Sequence, residues 1–236
     1  MFFSRFPLFL AKIGSDLQSI EDFFIRIAPI QQYKDLANIL SPYFVSDGQR
    51  IEDVAFDVYG DQNLHWVILL CNGITNPYKD WPVDMNVLYK QIYQNYNFIL
   101  GVPAGHGLVV GDVVGSSNGY TFSVELTNTE SLVLKSLEGV AYLSKEDFIY
   151  NEKASPRIPI SITSVEDPMN TIHHYEDIET GYWVDFDANK LGLGEIRAIS
   201  NLQYEESVNE KKRAIRILDK KYLSDFVQNF ERELQK

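Results

Sequence analysis

Six apolar residues stand in a row at Trp66-Val67-Ile68-Leu69-Leu70-Cys71, and they constrain the fold more than any other feature of the chain. The flanks read as helix: Asp61 can cap a helix that starts near Gln62, and Asn72-Gly73 can end it. Six consecutive helical positions sweep more than one full turn, so they cannot all face one neighbour. Leaving a large apolar side chain in water forfeits about 1.5–3 kcal/mol. A unit of about forty residues has no second layer with which to cover such a helix on every side. Another part of the chain, or another protein, must therefore cover its far side, and the chain is expected to be a building block of something larger.

The helix sits in the densest text of the sequence, Val45 to Trp81. Before it, Val54, Ala55, Val58 and Tyr59 share one face of a short helix whose first turn carries Glu52 and Asp53, acids that complement the positive end of the helix dipole. Gly60 can take the left-handed conformation that closes this helix. Beyond the apolar run, Pro77 and Pro82 bracket a segment read as extended, with Tyr78 and Trp81 on it. The predicted order is strand, helix, helix, strand.

Four zones follow from pattern. Residues 1–40 are an N-terminal arm with helical spacing at Phe23, Phe24 and Ile27 after a start at Ser19. Residues 41–100 hold the module just described. Residues 101–165 turn to glycine and β-branched residues in short alternating runs, Leu108 to Val114, Tyr120 to Leu126 and Ser131 to Leu137, separated by turn signals. This predicts a small inserted β-barrel or sandwich. Residues 166–236 begin as a polar, turn-rich link and end as a helical arm. Helix is expected from Asn201 to Leu218, and again after Asp219, where Tyr222, Leu223, Phe226, Val227, Phe230 and Leu234 form one stripe. The fold class is α+β.

Charge narrows the choice of partners. The 33 acids outweigh 21 bases, for a net charge of −12, the wrong sign for a protein whose affinity would come from neutralising phosphates. No nucleic acid is expected as partner. The single cysteine, Cys71, cannot close an intramolecular disulfide. No run reaches the roughly 20 apolar residues of a membrane helix, and Arg5 and Pro7 break the opening apolar stretch that resembles a signal peptide. A soluble intracellular protein without membrane contact is expected, with an ordered N-terminal segment.

Tyr59-Gly60-Asp61, Trp66 and Asn72, at their spacing, resemble a LysM-type domain of the kind found in phage tail proteins. Taken with the N-terminal FFSRFP and the C-terminal NEKKRAIRILDKKYLSDFV, the chain is similar to the baseplate wedge protein of T-even-type contractile phages. That resemblance implies a LysM-like core with Val54, Tyr59, Gly60, Asp61, Trp66, Ile68 and Asn72 as its structural residues. It also implies a structural role in the virion tail baseplate, holding neighbouring wedges together around the hub. The β-rich stretch has no counterpart in the resemblance.

Catalytic and metal patterns are weak. Gly115-Ser116-Ser117-Asn118-Gly119 fits the spacing of an esterase nucleophile elbow, but a strand follows where a helix is required, so a hairpin loop is expected. His173-His174 lies near Glu176 and Asp177, yet adjacent side chains diverge on a strand and no metal-ligand spacing supports a shared ion. His65 is read as packed and hydrogen-bonded, His106 as a loop residue without a partner, and Asp185 and Asp187 as a solvated turn after Trp183. No catalytic constellation, cofactor or metal site is expected, and no small-molecule ligand.

Two readings remain. In the first, the chain is a structural subunit that meets other wedge proteins and adjacent wedges through Arg213, Arg216, Tyr222, Phe226, Phe230 and Leu69, with guanidinium groups suited to acidic neighbours and aromatic residues as anchors. The alternative is a LysM module gripping peptidoglycan, an N-acetylglucosamine polymer, in a groove beside the apolar helix.

Overall fold

A computed structural model describes residues 8–13, 16–21 and 39–234. It resolves into two units, one built from the chain up to Val83 together with the segment from Asn209 onward, the other from Asp84 to Val208. Mixed helix and sheet run through both.

The chain opens with an antiparallel pair, β1 (Leu8–Ile13) and β2 (Asp16–Glu21). Ser19, expected to start a helix, pairs with Leu10 as a strand residue; over so few residues the apolar spacing serves either period, and cross-strand hydrogen bonding decides. Phe23, Phe24 and Ile27 lie outside the described residues. After β3 (Leu40–Phe44) comes α1 (Ile51–Tyr59). Asp53 accepts the backbone N–H of Arg50 at 3.1 Å, and Gly60, at φ 81°, closes the helix by donating to the Phe56 carbonyl at 2.8 Å. Asp61 accepts from the Asn63 N–H and caps a 3-10 turn, Gln62–Leu64, that leads into α2 (His65–Asn72). The next segment differs from the extended reading. It is a short helix, α3 (Pro77–Asp80), with Asn76 accepting from the Tyr78 N–H and proline in its first turn, a helix-start signal.

The second unit begins with α4 (Met85–Asn95), capped by Asp84. A seven-stranded antiparallel sheet follows, made of β4 (Phe98–Gly101), β5 (Val113–Ser116), β6 (Thr121–Thr127), β7 (Ser131–Ser136), β8 (Phe148–Asn151), β9 (Ile160–Ser161) and β10 (Ser164–Glu166). Its order is β10-β4-β7-β6-β5-β8-β9, so two strands that are nearly continuous in sequence occupy its opposite edges and draw the sheet closed. A Cβ at Gly101 would collide with the Thr163 and Ser164 hydroxyls, which accounts for glycine at this closure. Inside lie Phe98, Leu100, Phe122, Val124, Leu132, Leu134 and Ile149, supplied by alternate positions of their strands. A three-stranded sheet completes the unit, with β11 (Ile172–Asp177) between β12 (Trp183–Val184) and β13 (Ile196–Ser200); α5 (Ala188–Leu193) joins the outer two, and α6 (Asn201–Arg213) carries the chain back.

In the first unit again, β14 (Ala214–Leu218) pairs antiparallel with β3, and α7 (Leu223–Leu234) follows. Helix was expected through Leu218; instead the alternation in Ala-Ile-Arg-Ile-Leu prevails, because Ile215 and Leu218 reach the core from strand geometry while β3 satisfies the backbone. The C-terminal segment is therefore part of the module and not an arm.

Candidate functional site

The apolar helix α2 is enclosed by its own chain. Trp66, Val67 and Ile68 are buried and Leu69, Leu70 and Cys71 half-buried. Covering them is a core that draws Ile215 and Leu218 from β14, Phe226 and Phe230 from α7, and Val54, Ala55 and Tyr59 from α1. The Trp66 ring lies 4.4 Å from Phe230 and 6.1 Å from Phe226, centroid to centroid. Of the two covers the apolar run required, the chain's own remainder is the one found.

This corrects the expected partner face. Phe226 and Phe230 are 3% and 0% exposed, so neither presents an aromatic surface to a neighbour: their stripe was correctly periodic but turned inward. Arg213 is buried as well. Its guanidinium bonds the Val45 carbonyl, pairs with Asp47, and has Glu210 at 3.0 Å from Nε, so its charge is spent within the unit. Tyr222 and Leu69 are half-buried and Arg216 exposed.

Residues singled out by the LysM-type spacing meet on the returning strand. The Asn72 side chain accepts the Arg216 N–H at 2.8 Å and donates to the Arg216 carbonyl at 2.7 Å, as a neighbouring strand would. It also donates to the Ile68 carbonyl. Tyr59 accepts the Leu218 N–H at 3.1 Å, and burial pushes its hydroxyl pKa up. Val54, Tyr59, Trp66 and Ile68 are buried together. Asn209 makes a similar reciprocal pair with Val83 N–H and C=O, both at 2.9 Å, where the unit's two segments meet. Burial also pushes the Cys71 thiol up to about 12, which removes the thiolate that reactive cysteines need.

The candidate chemistry resolves locally. Ser117 lies in the hairpin between β5 and β6, and its hydroxyl donates to Asp147 at 2.7 Å, a carboxylate and not a histidine base. His65 bonds the Gln62 carbonyl. His106 is not without partners: Nδ1 accepts the Leu108 N–H and Nε2 meets the Asn128 carbonyl. Asp187 caps α5. Among the described residues, no group of three or more His, Cys, Asp or Glu is placed to hold a metal ion, and no helix is long and apolar enough to cross a membrane.

His173 and His174 depart from the expected divergence. A register shift between Ile172 and His174 in the pairing of β11 with β13 interrupts the alternation, and the two Nδ1 atoms come within 2.8 Å. His173 stacks on Tyr204 at 3.9 Å and His174 on Trp183 at 4.2 Å, while His174 Nε2 meets Glu176. Desolvation first, and the neighbouring His174 second, hold the His173 pKa below its usual 6.5, with Glu205 opposing. Because the unfolded chain binds the proton more readily, this contribution to stability is complete above pH 6.5 and is lost as pH falls toward the lowered native value. Denaturation midpoints should therefore fall on acidification through that window, and less steeply in His173→Asn.

Beside this geometry stand two likenesses to known proteins. Residues 16–111 match the family described as base plate wedge protein 53, so this part of the chain is similar to a phage baseplate wedge protein. A 62-residue stretch is 32% identical to baseplate wedge protein gp53 of Enterobacteria phage T4, covering 26% of this chain and 32% of that protein. The matching stretch thus spans about a third of the relative's length.

Proposed function

We propose that the chain is a non-enzymatic structural subunit that links neighbouring wedge subunits around the tail hub through protein–protein contacts. The observation that carries this reading is the family match over residues 16–111, which takes in α1, α2 and the Tyr59 and Asn72 side chains between which the closing strand is held. Within the proposal the first unit is a LysM-like module: two antiparallel strands, β3 and β14, with α1, α2 and the short α3 between them in sequence, and the second unit inserted before the closing strand. The arrangement of Tyr59 and Asn72 on β14 supports this, since both spend their polar atoms on holding the closing strand. Function here is mechanical. The module is a rigid body, stiffened by core packing and by backbone bonds to side chains. The other wedge proteins of the same phage are its partners.

The purified chain mixed with its cognate wedge subunits should elute from a sizing column as a complex and show no turnover of ester or glycan substrates. Separate elution of every component at micromolar concentration would defeat the reading. Retention on cell-wall sacculi would instead favour the glycan-binding role.

A further inference from the structure

The three-stranded sheet of the second unit is partly covered by α6 on one face and open on the other. On the α6 side His174, Glu176, Trp183 and Arg197 contact one another and Tyr204 of α6 lies against both histidines, with Trp183 itself still 60% exposed. On the opposite face the pairing sets Tyr175 beside Val184 and Ala198, and Phe186 reaches within 5.0 Å of the Tyr175 ring. Among the described residues of this unit, no layer lies over this face or the α5 segment beside it. Phe186 is 58% exposed, Tyr182 75% and Leu193 74%, with Ile178 and Leu191 exposed as well. A folded chain rarely leaves so many large apolar side chains of one short segment in water unless something covers them.

Charge says what the cover is made of. From Ile172 to Glu195 the sequence has Glu176, Asp177, Glu179, Asp185, Asp187 and Glu195 against Lys190 alone. Glu176 is matched by Arg197, Asp177 holds its own turn, and Asp187 caps α5. Glu179, Asp185 and Glu195 are exposed, with no side-chain partner among the described residues. Unmatched carboxylates around apolar anchors fit a surface with lysine or arginine around an apolar pocket. A second copy of this chain fits poorly, because its net charge is −12 and, among the described residues, its most basic stretch offers only Lys211, Arg216 and Lys220 exposed and unpaired, Lys212, Arg213 and Lys221 being engaged.

We infer that the Ile178–Leu193 projection is a docking surface for a basic face of a different protein subunit of the tail. The inference rests on the structural reading above, and it places a contact outside the residues that match the wedge family. The test uses tails assembled with a photo-cross-linking benzoylphenylalanine at position 182 or 186. Adducts to another tail protein, at apolar residues flanked by lysine or arginine, are expected. Alongside it, the charge reversal E179K/D185K/E195K should cut incorporation of the chain into tails at least ten-fold while leaving its melting temperature unchanged. Adducts to a second copy or to the chain itself, no adduct from chains that do enter tails, or normal incorporation of the triple variant would each overturn the inference and leave the structural reading standing. Complete absence of the unmodified chain from tails would overturn both.

Discussion

Phe230→Ala is expected to destabilise the first unit by about 3–5 kcal/mol, the range for emptying a buried aromatic site, and Trp66→Ala by a similar amount. The two rings are 4.4 Å apart at the centre of one core, so each removal strips packing from the other. Combined in a double-mutant cycle they should show a coupling of about 0.5–3 kcal/mol, as contacting residues do. Chemical denaturation followed by tryptophan fluorescence measures both quantities. A Phe230→Ala protein with wild-type stability and impaired assembly would show that α7 leaves this core and works as an arm after all.

Truncation should act still more strongly. A chain ending at Val208 loses Ile215, Leu218, Phe226 and Phe230 from the core. At about 1.5–3 kcal/mol each their burial contributes about 6–12 kcal/mol, comparable to the whole stability of a typical domain, about 5–15 kcal/mol. The truncation also strips β3 of its partner and leaves the Asn72 side chain and the Tyr59 hydroxyl without the backbone they hold. Amide hydrogen exchange should show α1 and α2 unprotected, and adding the peptide from Asn209 to Lys236 in trans should restore them. Helices that stay protected in the truncated chain would contradict this.

Both expectations turn on the long-range closure of the module. The helices themselves were legible: Asp61 caps, Gly60 reverses the backbone, and the side-chain spacing of α1 and α2 needs only near neighbours in sequence. The closing strand was not. Ala214–Leu218 follows a helix without a break and is too short for its period to be decisive, and its partner β3 lies across the whole of the second unit. The exposed apolar residues of the second unit were not singled out, for a related reason. Asp185 and Asp187 read as a solvated turn after Trp183, and only accessibility reveals that Tyr182, Trp183 and Phe186 stay in water beside it.

By itself the sequence determined that α2 had to be covered, since six apolar residues in a row leave a helix no wet face, and that the capping residues would end the helices where they do. Tertiary structure decided what does the covering and which aromatic residues remain outside. Periodicity states which side chains share a face, but the direction of that face depends on elements brought together from opposite ends of the chain.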